Sequence, residues 1–227
     1  MGKKKVVKVQ ETKFSFPHDL IIPNRGFLPS PEVVSEDQII TIGKFFTSGY
    51  CNALIKSFTN ELNLETTPLI KSKDYAVRVN DRALVEDYQS AQNLWSYLYK
   101  ILLYEYNDET IIDEFQNAKG LNPQLRIYRY HKGHHFGKHY DESVNVKHPQ
   151  LKGETKWTLL IYLTGDDEFI DGDTIFYDPL SKDNEPISVH PGKGTALLHK
   201  HGDDCLLHEA QLVKDGVKWV LRSDVVF

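Results

Sequence analysis

The sequence predicts a mainly β fold with flanking helices, of the α+β kind: a double-sheet jelly roll braced on one side by helices. Three observations carry this. From Leu125 onward, short β-prone runs alternate with Gly, Asp and Pro punctuation. Ahead of them stand two stretches with apolar residues at helical spacing. The 227 residues are 40% hydrophobic and 11% aromatic, which suffices to bury a core and argues against global disorder.

In chain order, residues 1–35 carry charge, Pro23, Pro29 and Pro31, and little periodicity, which predicts an extended N-terminal arm with one short strand. Residues 36–120 are expected to support the core within the same domain. There, 38–46 is β-rich, Thr47 or Ser48 is a good N-cap, and Cys51, Leu54, Ile55, Phe58 and Leu62 then recur at helical spacing. A second helix is expected over 86–104, with Tyr88, Ala91, Trp95, Leu98 and Leu102 as a stripe that packs into the core. Residues 121–227 form the expected β core, with strands near 125–130, 138–144, 157–164, 174–177, 187–190, 194–199, 206–212 and 217–226.

The net charge of −5 argues against a strongly basic nucleic-acid-binding domain, while leaving room for a local basic groove. The two cysteines, Cys51 and Cys205, make no disulfide framework and are read as reduced thiols. Met1-Gly2-Lys3-Lys4-Lys5 is followed by no apolar run, so it is not read as a secretory signal, and no stretch approaches the roughly 20 apolar residues of a membrane span. A solvated start is the preferred reading of the basic run, ahead of a nuclear import signal. The expected compartment is cytoplasm, nucleus or both.

The segment Leu125 to Asp141 reads LRIYRYHKGHHFGKHYD. On a strand, residues i and i+2 share a face, so His139 and Asp141 can hold one metal while Tyr140 faces away. His208, in the seventh expected strand, is the candidate third ligand. Two imidazoles and one carboxylate make the facial triad of non-haem iron(II) oxygenases and leave positions open for substrates. The other histidines have competing readings. His135 and His139 have the i, i+4 spacing of a helical zinc site, but Gly133 and Gly137 argue against a helix there. His199 and His201 are alternatives to His208, with core or ligand-supporting roles preferred for both.

Downstream, Lys218 and Arg222 are four residues apart on the last strand, hence on one face. If that face lines the barrel, two buried cations call for an anion beside the metal. Arg222 is the preferred anchor over Lys218 because a guanidinium grips a carboxylate with two parallel hydrogen bonds. The competing reading makes both solvated edge charges, or pairs one with Asp224.

Taken together, YRYHKGHHFGKHYD (128–141), TLLIYLT (158–164), GDTIF (172–176), PGKGTALL (191–198) and HEAQLVKDGVKWVLRSD (208–224) resemble the prolyl-4-hydroxylase-like branch of the 2-oxoglutarate/Fe(II)-dependent dioxygenase superfamily. The resemblance covers nearly half the chain. It implies a double-stranded β-helix core of the cupin-like kind, and iron(II) bound by His139, Asp141 and His208. It implies 2-oxoglutarate and O2 as co-substrates, ascorbate as a supporting reductant, and release of succinate and CO2. Tyr130 and Tyr162 match positions near 2-oxoglutarate. Lys218 matches the carboxylate-binding lysine of prolyl hydroxylases, and Arg222 an arginine of more distant relatives. The motif GDT departs from the usual GGxT, which puts Asp173 in a turn.

By family analogy, the leading substrate is a protein or peptide side chain, a prolyl residue first. Arg78, Asn80 and Arg82, in AVRVNDR, are candidates to flank the mouth and grip a phosphate or an acidic patch; solvated or internally paired charge is their other reading. Oxidative demethylation of nucleic acid is the alternative activity, a small-molecule substrate ranks third, and a non-catalytic cupin-like binding module is the alternative of a different class. Oligomeric state is not legible in the sequence.

Overall fold

The computed structural model describes residues 14–23, 26–67, 76–104, 108–180 and 185–227. The basic run at 3–5 lies outside the described residues. Of the expected arm, residues 17–20 form a short 3-10 turn and β1 (Pro31–Ser35) is a strand. There follow β2 (Ile39–Ile42), α1 (Ser48–Glu61), β3 (Glu65–Thr66), β4 (Arg78–Val79), β5 (Asp81–Glu86), α2 (Tyr88–Tyr104) and α3 (Glu109–Phe115). The remaining chain is β6 (Gly120–Leu121), β7 (Gln124–Tyr130), β8 (His135–His139), β9 (Asn145–His148), β10 (Leu151–Tyr162), β11 (Phe169–Asp171), β12 (Thr174–Tyr177), β13 (Ile187–Val189), β14 (Ala196–Lys200), β15 (Leu207–Ala210), β16 (Val213–Gly216) and β17 (Lys218–Val226).

Two facing antiparallel sheets make the double-stranded β-helix, and β11 and β16 pair apart from them. The major sheet runs β1-β2-β14-β10-β17-β7-β5-β3 and the minor one β13-β12-β15-β8-β4. Alternation along the major strands divides two cores. Leu125 and Ile127 on β7, Leu159 and Ile161 on β10, and Leu221 and Val225 on β17 turn outward. They form one buried cluster with Leu54 and Phe58 of α1 and Ala91, Leu94, Leu98 and Ile101 of α2. Tyr128, Tyr130, Tyr162, Leu197 and Val220, from the opposite phase, face inward to Phe176 of the minor sheet. Burying each large apolar side chain contributes about 1.5–3 kcal/mol, so the helices hold the major sheet flat-on while the inner face stays available for a site.

The helix starts follow their capping chemistry. Thr47 Oγ1 accepts from Tyr50 N at 3.1 Å, Asp87 Oδ1 accepts from Ser90 N at 3.0 Å, and Asp108 Oδ1 accepts from Thr110 N at 2.9 Å. Both cysteines are buried, and no disulfide joins them. Among the described residues no helix is long and apolar enough to cross a membrane.

Several boundaries differ from the sequence reading. The strand expected at 138–144 is β8, ending at His139. Beyond it the Asp141 backbone bonds to loops instead of to a strand: Asp141 N donates to Cys205 Sγ at 3.3 Å, and its carbonyl accepts from Gly202 N at 2.9 Å. The run at 157–164 is the second half of β10, whose first half pairs with β9 in a hairpin. The helix α3, the two-residue strands β3, β4 and β6, and the strands β5, β9, β11 and β16 were not expected.

Candidate active site

His139, the last residue of β8, and His208 on β15 are directly paired across the minor sheet. Each ring is aimed by a backbone carbonyl. His139 Nδ1 lies 2.9 Å from Gly137 O, and His208 Nδ1 lies 2.9 Å from Leu206 O. A carbonyl only accepts, so these contacts assign the proton to Nδ1 and leave an Nε2 lone pair free on each ring. The two Nε2 atoms sit 3.7 Å from Oδ1 and 3.7 Å from Oδ2 of Asp141. Asp141 thus joins the pair from the loop after β8, and the three donor atoms all lie within 4.8 Å of one another.

A third imidazole converges on the same carboxylate. His199, on the inward phase of β14, is 2% exposed. Its Nδ1 is 3.2 Å from Lys200 O, and its Nε2 is 3.6 Å from Asp141 Oδ2 without a hydrogen-bond partner. His201 has a different task. Its Nδ1 lies 2.9 Å from Thr158 Oγ1, which donates to Asp141 Oδ2 at 2.9 Å, and its Nε2 lies 2.9 Å from Thr155 Oγ1. His201 and Thr158 therefore orient the carboxylate.

Burial pushes His139 down to about 4 and lowers His208 and His199 as well, so all three rings are neutral at physiological pH. Burial alone would raise Asp141, but the Arg222 guanidinium and the nearby imidazoles hold it well below the usual carboxylate range. Lone pairs from neutral rings and an ionised carboxylate face each other with no hydrogen between them. Such a set suits a divalent cation, and two imidazoles with one carboxylate suit non-haem iron(II).

The group His199, Cys205 and His208 is also close enough to share an ion. Burial pushes the Cys205 thiol up to about 11, and its sulfur already donates to Leu206 O at 3.4 Å, so it is a poor ligand beside Asp141. His131, His134 and His135 join no metal-competent group among the described residues; His131 Nε2 lies instead 3.3 Å from Asp81 Oδ2.

The two cations of β17 differ in their surroundings. Arg222 is engaged: Nη1 is 3.1 Å from Asp141 Oδ1 and Nη2 is 3.1 Å from Asp224 Oδ1. Lys218 is 2% exposed and donates to the Gly172 carbonyl at 2.6 Å. It forms no carboxylate ion pair among the described residues, and burial lowers it to about 7. Gly172 sits at φ +76°, a left-handed turn in which an added Cβ would press Val213 Cγ2 at 2.8 Å. The neighbouring Asp173 accepts from Ser188 Oγ at 2.7 Å and lies 2.6 Å from His190 Nδ1, so the GDT departure is absorbed by that turn. Around the ammonium stand the rings of Tyr130 at 5.6 Å and Tyr162 at 5.2 Å, and Tyr162 Oη pairs with Thr174 Oγ1 at 2.7 Å. Thr174 stands within GDTIF, where the sequence alone gives it no role of its own. One pocket contains His139, Asp141, His199, His208, Tyr130, Tyr162, Thr174, Lys218 and Arg222.

Arg78 and Arg82 line a groove that opens beside this pocket, but Asn80 does not accompany them. Asn80 is fully buried, and its Oδ1 accepts from Arg78 Nε at 2.9 Å and Thr67 Oγ1 at 3.0 Å. The shared face expected from period 2 fails because the chain crosses from β4 in one sheet to β5 in the other at this point.

The double-stranded β-helix thus brings two histidines, a loop carboxylate and a buried cation into one pocket. Residues 125–223 match the family described as the 2OG-Fe(II) oxygenase superfamily. The matched stretch runs from β7 into β17 and carries the three converging donors together with Lys218 and Arg222. Among solved structures, the chain is similar to the viral collagen prolyl hydroxylase of Paramecium Bursaria Chlorella virus-1 in its 2OG complex. That match is 17% identical, covers 86% of this chain and 98% of the other, and has a TM-score of 0.54. A Pseudomonas putida prolyl-4-hydroxylase is 13% identical over 84% of this chain and 94% of its own, with a TM-score of 0.56. A Trichoplax adhaerens prolyl hydroxylase, in complex with a peptide fragment of the hypoxia inducible factor oxygen degradation domain, is 12% identical. It covers 84% of each chain, with a TM-score of 0.56. Among curated proteins no relative matches.

Proposed function

We propose that this protein is a 2-oxoglutarate- and iron(II)-dependent dioxygenase that hydroxylates a protein or peptide side chain, a prolyl residue first, with His139, Asp141 and His208 holding the iron and Lys218 holding the far carboxylate of 2-oxoglutarate. The observation that carries the co-substrate assignment is a buried ammonium without a carboxylate partner in the same pocket as the three converging donors. An uncompensated buried charge is costly, and a dicarboxylate chelating the metal at one end supplies the missing anion at the other. Arg222 is less suited to that task because Asp141 and Asp224 already share it. Tyr130 and Tyr162 wall the co-substrate, and the Tyr162–Thr174 pair presents hydroxyls beside the ammonium.

Iron(II), when bound, supplies the activation of O2 coupled to decarboxylation of 2-oxoglutarate. The protein's own residues do the positioning. Gly137 and Leu206 carbonyls fix the two imidazole tautomers, Thr158 and Arg222 orient the Asp141 carboxylate, and the apolar inner face keeps the site dry. A peptide substrate is supported by the likeness to prolyl hydroxylases, one of them captured with a peptide.

The test is release of labelled CO2 from 2-oxoglutarate by protein supplied with iron(II) and ascorbate, followed by mass spectrometry of proline-containing peptides. Turnover with gain of one oxygen on a peptide is the expected result. Absence of CO2 release with and without every candidate substrate would overturn the activity; methyl loss from an oligonucleotide instead would overturn the substrate class.

A further inference from the structure

We propose that the groove beside the metal pocket is a subsite for an acidic peptide, with Arg78 and Arg82 gripping carboxylates that flank the oxidised residue. This rests on the oxygenase reading and names the chemistry of its substrate.

The groove encloses about 630 Å3 and is lined by Arg78, Arg82, Arg126 and Arg222 against a single acid, Glu65. That is the size of a cleft for a short segment or a small molecule. Its floor is one continuous sheet face. Arg82 on β5 stands opposite Tyr128 on β7, and Leu84 stands opposite Arg126, which in turn stands opposite Arg222 on β17. The row therefore runs from the metal pocket, which also contains Tyr128 and Arg222, out to the rim. A side chain bound at the metal leaves its chain neighbours along this row.

The four cations are not equivalent. Arg126 pairs with Asp224 at 2.8 Å and Arg222 with Asp141 and Asp224, so their charge is largely spent inside the protein. Arg78 and Arg82 form no ion pair with a carboxylate among the described residues. Arg78 is held rigid between the rings of Tyr128 and Phe136, its guanidinium carbon 4.5 and 4.6 Å from their centroids, with Nε on Asn80. Its Nη2 is buried with no hydrogen-bond partner. A preorganised guanidinium edge of this kind is what a carboxylate binds with paired hydrogen bonds. Arg82 is exposed at the outer end of the row, placed to meet a second acid. The chain's overall charge of −5 disfavours a polyanionic duplex or long single strand, whose phosphates would meet repulsion beyond the groove; a short acidic peptide confines its charge to it.

Fluorescence anisotropy decides this, using protein loaded with iron(II) and 2-oxoglutarate under nitrogen. The probes are labelled peptides with a central proline flanked by glutamates, glutamines or lysines, and an oligothymidylate matched in charge to the glutamate peptide. The glutamate peptide should bind at least about tenfold tighter than the other two peptides and the oligonucleotide. Arg82→Glu, an exposed change whose fold is checked by circular dichroism, should remove most of that preference, and Arg78→Gln should weaken binding similarly. Equal binding of all three peptides, or a preference that survives Arg82→Glu, overturns the subsite. Tighter Arg82-dependent binding of the oligonucleotide overturns it in favour of nucleic acid. Uncoupled CO2 release by the wild-type protein, measured separately, reports on the oxygenase reading whichever way the peptides fall.

Discussion

Lys218 Nζ donates to the carbonyl oxygen of Gly172 at 2.6 Å, and within that buried pocket the ammonium meets aromatic rings but no carboxylate partner. Such a group lowers the stability of the ligand-free protein while preparing it for an anion. Lys218→Met should therefore raise thermal stability by roughly 2 kcal/mol, a melting shift of about 4–8 °C, while abolishing 2-oxoglutarate binding. Differential scanning fluorimetry with and without the co-substrate separates the two effects. A variant that melts lower and still shifts with 2-oxoglutarate would remove Lys218 from the anchor role.

The same ammonium makes co-substrate affinity depend on pH. Burial lowers Lys218 from the ordinary 10.5 to about 7 in the folded protein, so above pH 7 it is neutral when folded and charged when unfolded. Between those values the unfolded state holds more protons, so this group's contribution to stability rises with pH. Binding a carboxylate requires the proton back. The apparent Kd of 2-oxoglutarate should thus weaken above pH 7, by up to about tenfold per pH unit. Lys218→Arg should flatten that profile. Anaerobic titration calorimetry across this range reads it directly, and a wild-type profile without a slope would contradict the assignment.

Much of the fold was legible because alternation is strong where a strand is covered on one side by helices. The runs at 125–130 and 217–226 coincide within a residue with β7 and β17. The convergence of His139, Asp141 and His208 was legible too, since strand pairing brings distant residues opposite. What stayed hidden depends on three-dimensional partners. Two-residue strands such as β4 have no period to read, so the crossing that buries Asn80 between Arg78 and Arg82 left no trace in spacing. The relative merits of Lys218 and Arg222 as anchors turned on which cation already had carboxylates. The same-face Asp224 hinted at this, but Asp141 reaches Arg222 only through the loop after β8. His199 was legible as an alternative ligand or a core or ligand-supporting residue, but not as one whose Nε2 would be left without a partner.

His199 points that nitrogen at Asp141 Oδ2 from 3.6 Å, and its ring lies 4.6 Å from His208 and 5.2 Å from Phe176. As a neutral imidazole at the metal position it should strengthen metal retention, either as a donor or through a water on the ion. His199→Phe keeps the ring contact with Phe176 and deletes the nitrogen. It should lower metal affinity by about tenfold, as removal of ligand-supporting groups does elsewhere. Competition against a chromogenic chelator, with cobalt(II) as the spectroscopic probe, measures this without any turnover. Wild-type affinity and an unaltered cobalt spectrum would show that the ring serves packing alone.

His139→Ala removes one of the three converging donors and should abolish both CO2 release and tight metal binding, because the remaining imidazole and carboxylate cannot make a facial set. Chelator competition and the labelled-CO2 assay check the two halves. Retained turnover in this variant would mean that His199 and His208 complete the site with Asp141, and the ligand assignment would pass to that trio.

Arg222 bridges Asp141 and Asp224, with side chains only 14%, 9% and 2% exposed, so its removal leaves two buried carboxylates without their shared cation. Arg222→Leu should cost about 3 kcal/mol at neutral pH, read from urea unfolding. The pH dependence gives a second signature. Both carboxyls are held below their ordinary value of 3.8 when folded, against the raising effect of burial, chiefly by Arg222. Their stabilising effect is present above that value and is lost as pH falls through it toward the folded value. Without the guanidinium this depression shrinks, so the variant should lose less stability than the wild type between pH 5 and pH 3, even though it starts lower. A variant that matches the wild type at neutral pH and follows the same acid profile would mean that Arg126 and the imidazoles hold the two carboxylates unaided.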